Sequence, residues 1–287
     1  MLTIYKKQIK SHLNRFSTSK LSYFIICLIN LEYLHIGFSM KLNKIEPQFI
    51  KNSNPRIGLI ALATDFMIEK DFINVIKDKE IDFFVNRIEC YNPLTKENLI
   101  KMSEKVTEVT NNILPNEDID CIVYGCTSGT IAAGFESIEK KVKAAKPNAK
   151  LTTPSSATLK ALKRLSIKKI AIFTPYSKIL NDDVVNFFTS NGFEVTSNSY
   201  LDIKADYDIG KVEQEFLYNS LSQIELNEAD ALFVSCTALP VLNIIDRLEK
   251  KLNIPVLSSN QALIWDSLES IGKNKAVLGF GKLFNIN

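Results

Sequence analysis

The sequence predicts an α/β protein built from two pseudo-equivalent halves, each a doubly wound parallel sheet, with a shared site in the cleft between them. Strand-like apolar runs alternate with amphipathic helical segments from residue 56 onward, and the order β-α-β-α-β-α-β-α occurs twice. The segments EDIDCIVYGCTSGT and NEADALFVSCTALP also repeat one pattern. In each, an Asp opens an apolar run that ends in a small residue, a cysteine and a threonine.

The individual elements follow from hydrophobic periodicity and turn residues. In the first half we predict strands at 56–62, at 81–88, before Cys126 and before TTPSSA, with helices at 69–77, 95–113 and 131–145. In the second half we predict strands at 168–174, at 193–199, before Cys236 and at IPVLSS, with helices at 181–190, 210–224, 240–252 and from 260. Ligands of such sheets bind at the carboxyl ends of the strands, where both cysteines are expected.

Composition indicates a globular body with an unusual N-terminal segment. The chain has 287 residues, of which 46% are hydrophobic and 23% charged, which is enough to bury a core. Much of the net charge of +3 lies in the basic residues 1–40, so the body is near neutral and no nucleic acid partner is expected. We predict a poorly ordered or non-native extension at 1–50, a first half at 51–154 and a second half at 155–287. The apolar run within residues 1–40 fits neither a clean membrane span nor a secretory signal, and a membrane anchor or targeting peptide is the alternative to a poorly ordered segment. No membrane partner is expected for the body.

Cysteine and histidine usage narrows the chemistry. Five cysteines without a framework spacing argue for a reducing compartment, and we predict a cytoplasmic protein. The histidines, His12 and His35, both precede the body, so the body has no histidine for a catalytic couple or a metal site. It also lacks a glycine-rich phosphate loop. We therefore expect no metal and no organic cofactor, and acid–base chemistry must use Cys, Asp, Glu, Lys or Tyr.

Cys126 and Cys236 are the candidate reactive residues. Each is expected at a turn from a strand into a helix, where the helix N-terminus favours a thiolate. The alternative is a pair of ordinary buried cysteines, but packing gives no reason for Cys-Thr to recur at the same strand end in both halves. Thr127 and Thr237 are interpreted equally as helix caps or as ligand contacts. Tyr176 follows Pro175 at a strand end and is interpreted as a recognition or acid–base residue.

Several motifs resemble a known family. RIGLIALATD (56–65), GCTSGT (125–130), TTP (152–154), FTPY (173–176), ALFVSCTALP (231–240) and SSNQALIW (258–265) fall in an order that is similar to the aspartate/glutamate racemase superfamily. Within it, they look like the maleate isomerase and arylmalonate decarboxylase branch, and most like its ectoine-utilisation members. The resemblance covers about residues 56–275 and does not include the first forty residues.

The resemblance implies a cofactor-independent isomerase or racemase that acts on a small carboxylate and assembles as a homo-oligomer. The likeness to ectoine-utilisation members suggests a substrate from ectoine or hydroxyectoine degradation. By resemblance, Cys126 is the nucleophile or base and Cys236 the acid. The substrate-binding residues implied are Thr64, Asp65, Thr127, Ser128, Tyr176, Thr237 and Ala238.

One departure and two alternatives remain. The maleate isomerases that this chain resembles carry Asn where it has Asp65, which favours a substrate with a cationic group, although Asp65 as a helix cap is the competing interpretation. Decarboxylases of this branch keep only the second cysteine, so Cys126 argues against a decarboxylase. A non-catalytic small-carboxylate binding protein is the third reading, and it predicts no special reactivity at either thiol.

Overall fold

The structure is a computed structural model, and it describes residues 43–50 and 54–286. Contacts divide the chain into two units, Met1–Lys51 and Asn52–Asn287. Residues 43–50 of the first unit are exposed and form neither helix nor strand. The predicted extension at 1–50 therefore lies mostly outside the described residues, as do His12, His35 and Cys27. The second unit holds both predicted halves.

The first half contains one four-stranded sheet with its helices. Its strands are β1 (Arg56–Leu62), β2 (Asp82–Ile88), β3 (Cys121–Gly125) and β4 (Lys150–Thr152). Its helices are α1 (Ile68–Ile76), α2 (Lys96–Ser103), α3 (Val106–Asn111), α4 (Thr127–Ala133), α5 (Phe135–Ala145) and α6 (Pro154–Arg164), the last of which leads into the second half.

The second half repeats this order. Its strands are β5 (Lys169–Thr174), β6 (Glu194–Tyr200), β7 (Ala231–Val234) and β8 (Val256–Ser258). Its helices are α7 (Lys178–Ser190), α8 (Asp206–Ile209), α9 (Gln214–Leu221), α10 (Ile245–Leu252) and α11 (Ser259–Ser270), and short 3-10 turns occur at Leu242–Ile244 and Lys282–Asn285.

The two sheets have the same topology, which confirms the predicted fold class. Their strand orders are β2-β1-β3-β4 and β6-β5-β7-β8, and every pairing is parallel. The central strands β3 and β7 are buried along their whole length, as expected when helices cover both faces of a parallel sheet. In each sheet the order in which strands are added reverses between the first and third strands, β1 and β3 or β5 and β7. The cysteine follows the third strand, at this switch point.

Four predicted helices differ from those observed, and the one predicted at 210–224 is shorter, covering only Gln214–Leu221. The segment 95–113 forms two helices, because the N–H groups of Glu104 and Lys105 bond to carbonyls three residues back and tighten the chain into a turn. The segment predicted at 131–145 is divided by Gly134, whose φ of 83° ends α4 and lets α5 start in a new direction. The helix predicted from Pro240 begins only at Ile245, after a 3-10 turn.

Candidate active site

Cys126 lies where the sequence places it, at the turn from β3 into α4. It is the N-cap residue of α4, and its Sγ accepts the backbone N–H of Gly129 at 3.2 Å. The Ser128 hydroxyl lies 3.8 Å from the same sulfur. Gly129 is needed here, because a Cβ at that position would lie 2.8 Å from the Cys126 sulfur. The helix start therefore holds the thiol from two sides.

Cys236 follows β7, but it does not open a helix. Its φ is 102°, in a region that residues with a Cβ rarely adopt. The backbone is held there because the Cys236 N–H donates to Ser259 Oγ at 2.9 Å and the Ser235 N–H donates to the Phe173 carbonyl at 2.8 Å. The Ala238 N–H hydrogen-bonds to the thiol. Strain of this kind costs about 1–3 kcal/mol and is concentrated at functional sites.

Tyr176 lies near both thiols. This buried tyrosine follows β5; desolvation is the main reason that the pKa of its phenol is raised, and charge on Cys236 or Cys126 would raise it further. A hydrogen bond from the phenol in turn lowers the pKa of Cys236. The sequence predicted Cys126, Cys236 and Tyr176 as site residues, and the fold brings these three together.

Burial changes the expected protonation of the thiols. Cys126 and Cys236 are only 3% and 4% exposed, and desolvation raises the pKa of both well above the usual value for cysteine. The hydrogen bonds from Gly129 and Ser128 lower the pKa of Cys126, but by less than burial raises it. Burial therefore opposes the effect expected from a helix N-terminus, and desolvation is the larger influence on the pKa of both thiols.

The two threonines beside the cysteines hold the halves together. The Thr127 hydroxyl lies 2.9 Å from Ser259 Oγ in the second half, and the Thr237 hydroxyl donates to the Gly125 carbonyl in the first half at 3.2 Å. Asn260 supports the second contact, because its Nδ2 donates to the Thr237 carbonyl at 2.7 Å. Neither threonine caps a helix with its side chain, and each thiol is followed by a residue bonded to the opposite half.

Asp65 is buried in the loop after β1. Its Oδ1 accepts the N–H groups of Met67 and Ile68 at 2.8 and 3.0 Å, so the carboxylate does hold the start of α1. Its Oδ2 is buried without a hydrogen-bond partner. The neighbouring Thr64 donates to Asp206 Oδ2 at 2.6 Å. The cap interpretation of Asp65 thus accounts for only one of its two oxygens.

Sequence reasoning missed three residues near the thiols. Asp206, at the start of α8, raises the pKa of both cysteines by its charge. The Tyr124 hydroxyl is buried without a partner and faces Gly129, and Ser259 links Cys236 to Thr127. Ser259 lies in SSNQALIW and Tyr124 directly precedes GCTSGT, but nothing in those motifs singled out either residue, and Asp206 lies in no motif. The available signal was position, because Asp206 and Ser259 follow the carboxyl ends of β6 and β8.

Aromatic side chains pack the loop after β1 against the segment after β6. The Phe66 ring lies so near Gly210 that a Cβ there would be 2.6 Å from Phe66 Cζ. Tyr207 meets the same ring edge-on, with centroids 6.0 Å apart. Leu94 in the loop after β2 also donates its N–H to the Lys204 carbonyl at 3.0 Å. Phe66 thus covers the loop that carries Thr64 and Asp65.

Residues 43–50 and 54–286 contain no group of three His, Cys, Asp or Glu side chains arranged to hold a metal ion. Within the same ranges, no helix has the length and apolar character needed to cross a membrane.

Comparison with known families identifies the chain. The family model described as arylmalonate decarboxylase matches residues 91–284, which is more than half of the sequence. The chain belongs to the arylmalonate decarboxylase family. Among curated proteins, the maleate isomerase of Geobacillus stearothermophilus is 25% identical over 245 residues, covering 80% of this chain and 97% of the relative. The arylmalonate decarboxylase of Bordetella bronchiseptica is 28% identical over 137 residues, covering 47% of this chain and 57% of the relative.

Solved structures of this family share the fold. The maleate isomerase of Pseudomonas putida S16, in a cysteine-to-alanine form with maleate, has a TM-score of 0.73 at 23% identity, covering 80% of this chain and 97% of its own. The Nocardia farcinica maleate cis-trans isomerase, in a cysteine-to-serine mutant with a covalently bound succinylcysteine intermediate, has a TM-score of 0.74 at 22% identity, covering 80% of this chain and 98% of its own. The predicted kinship with maleate isomerases and arylmalonate decarboxylase is confirmed.

Proposed function

We propose that this protein is a cofactor-independent isomerase of a small carboxylate, in which Cys126 and Cys236 act from opposite faces of the substrate. The observation that carries the proposal is the pair of thiols at equivalent strand ends of two matching sheets, joined through Tyr176 in one site. The covalent succinylcysteine intermediate of the Nocardia relative supports a thiol that adds to carbon.

In a cis–trans isomerisation, the Cys126 sulfur attacks one alkene carbon and forms a C–S bond. The π electrons move to the neighbouring carbon and its carboxylate, and the Cys236 thiol delivers a proton to that carbon. The bond between the two carbons is now single and rotates. Cys236 then recovers the proton, the C–S bond breaks with its electrons returning to sulfur, and the trans alkene leaves. In a racemisation, one thiolate removes the α-proton and the other thiol donates a proton to the far face.

Both routes pass through an enediolate-like state that needs hydrogen-bond donors. The phenol of Tyr176 and the hydroxyl of Ser128 lie beside the sulfurs and are our candidates for the substrate carboxylate. The backbone N–H of Ala238 lies beside the Cys236 thiol. We assign Thr127 and Thr237 a supporting role instead, because their hydroxyls already bond across the halves. Because burial raises the pKa of both thiols, the mechanism requires that Cys126 has lost its proton by the time its sulfur attacks carbon.

The test is a screen of small carboxylates, beginning with maleate, in deuterated water with NMR detection. Isomerisation, racemisation and loss of CO2 give different spectra, so one assay separates an isomerase from a decarboxylase. We expect Cys126→Ala and Cys236→Ala to abolish turnover while folding is retained. Cys121→Ala is the matched control, because Cys121 is a buried cysteine in β3, the strand that leads to Cys126. An active Cys126→Ala enzyme would falsify the two-thiol mechanism.

The finer assignments remain predictions from the sequence. Membership among the ectoine-utilisation proteins predicts that intermediates of ectoine or hydroxyectoine degradation react faster than maleate in the screen. The division of the body at residues 154 and 155, a cytoplasmic location and a homo-oligomeric assembly are also predicted. Light scattering on the purified protein measures the assembly directly.

A further inference from the structure

Asp206 brings a carboxylate from the second half into the pocket of the two thiols. It lies at the start of α8 and is 3% exposed, and Thr64 of the first half donates to its Oδ2 at 2.6 Å. Its backbone N–H is fixed by Asn92 Oδ1 at 3.1 Å. Its charge acts on both Cys126 and Cys236, whose pKa values it raises. Asp206 therefore lies near both thiols and is held from two directions.

Asp65 brings a second carboxylate to the same place from the first half. Its Oδ1 is turned toward the start of α1 by the N–H groups of Met67 and Ile68, so Oδ2 points away from that helix. Oδ2 is fully buried and has no hydrogen-bond partner, because the hydrogen of the nearby Thr237 hydroxyl goes to the Gly125 carbonyl. Desolvation is the main reason that the pKa values of Asp206 and Cys236 are raised, and the charge of Asp65 raises both further, so Asp65 lies near both groups.

Neither carboxylate has a cation of its own. In the described part of the second unit, no ion pair includes Asp65 or Asp206. Arg87 donates to the carbonyls of Leu62 and Asp65 and to Glu69, and its charge lowers the pKa of Asp65 by less than burial raises it. Burial likewise raises the pKa of Asp206 from 3.8 to about 6. Each carboxyl group is therefore costly to ionise without a bound cation, because buried charges are normally paired.

We propose that Asp65 and Asp206 form a cation subsite that binds an ammonium group of the substrate beside the two thiols. The proposal rests on the function proposed above and specifies its substrate class, a short carboxylate that also carries an ammonium group. An ammonium has three hydrogen-bond donors and no acceptor, which fits the free Oδ2 of Asp65 and the carboxylate of Asp206. A second substrate carboxylate in this position would be repelled by both residues.

The subsite also couples binding to reactivity. With the site closed and no cation present, the charge of Asp206 opposes ionisation of both thiols. A bound ammonium compensates that charge and favours the thiolate. The thiols of this protein are thus expected to become nucleophilic only when a substrate with the correct charge has bound.

The test compares probes that differ in one group. Aspartate and malate carry ammonium and hydroxyl at the same carbon, and maleate has neither. Dissociation constants are measured by calorimetry for both enantiomers of each chiral probe, with the full-length protein and with Asp65→Asn, Asp206→Asn and the double variant. Asp71→Asn is the matched control, since Asp71 is an equally buried carboxylate whose Oδ2 is satisfied by Asn260 Nδ2 at 2.7 Å.

We expect the unaltered protein to bind an aspartate enantiomer at least tenfold more tightly than the matching malate. Because truncating one partner of a buried charge pair costs about 2–5 kcal/mol, each single Asn variant should raise the dissociation constant for aspartate by roughly thirtyfold or more. The double variant should bind maleate more tightly than the unaltered protein does, and Asp71→Asn should keep the original preference.

Three results would overturn the subsite: equal affinity for aspartate and malate, binding of no aspartate enantiomer, or a double variant with unchanged affinities. Thermal unfolding of each variant shows whether it is folded, and replacing an uncompensated buried charge should not lower its stability at neutral pH. These outcomes are separate from those of the two-thiol mechanism, because binding preference is measured without turnover and that mechanism is tested at Cys126.

Discussion

Gly129→Ala is the sharpest test of how α4 holds the Cys126 thiol. The added methyl group would lie 2.8 Å from the Cys126 sulfur, 3.0 Å from the Tyr124 hydroxyl and 3.0 Å from Met102 Cε. Ordinary contacts between such atoms are about 3.5–4.0 Å, so the sulfur must move by close to 1 Å. A displacement of that size at a reacting group costs about a hundredfold in rate.

The effect on stability should be much smaller. Overpacking costs about 1–3 kcal/mol, and the higher helix propensity of alanine returns up to about 1 kcal/mol of this within α4. We expect kcat to fall about a hundredfold on the substrate identified by the NMR screen. The free energy of unfolding, measured with urea, should fall by about 0–2 kcal/mol.

Gly58→Ala is the matched control for overpacking. Its methyl group would lie 2.9 Å from Ile122 Cδ1 and 3.0 Å from Ile113 Cγ2, which is similar crowding against aliphatic side chains in the same half. It should lose comparable stability and keep its kcat. The reasoning fails if Gly129→Ala turns over at the original rate, or if Gly58→Ala loses as much activity.

Four further outcomes are expected. Burial raises the pKa of Asp71 from 3.8 to about 7, so between these values the folded protein holds a proton that the unfolded chain has released. The free energy of unfolding should fall as pH rises through this window, and urea titrations should show a smaller fall for Asp71→Asn. Cys236→Gly should unfold at a higher temperature than Cys236→Ala, because glycine adopts a φ of 102° without strain, and equal melting temperatures would argue against strain there. Iodoacetamide should alkylate Cys126 slowly near neutral pH and faster in Asp206→Asn, which mass spectrometry can follow; no acceleration would show that Asp206 does not control the thiol. A protein beginning at Met40 should fold and keep full activity, and loss of either would assign the first forty residues a structural role.

The sequence predicted the architecture because hydrophobic periodicity and the repeated Cys-Thr segments are local signals. The strand before Cys126 and its companion before Cys236 were both found for this reason. The rise in the pKa of both thiols could not be predicted, since it depends on how completely they are buried in the folded protein. Asp206 was missed for a related reason, because its contact with Thr64 joins residues far apart in the chain. The positive φ of Cys236 could not be predicted either, because no neighbouring residue in the sequence indicates that conformation.

The reciprocal contacts of Thr127 with Ser259 and of Thr237 with Gly125 bear on how a substrate reaches the sulfurs. A hinge that swung the halves apart would break both bonds and carry each thiol away from its working position. A substrate that reaches the sulfurs while both threonine bonds stay intact must enter through a local opening rather than by separation of the halves. A local opening is narrower than a cleft between separated halves, so it would favour small substrates.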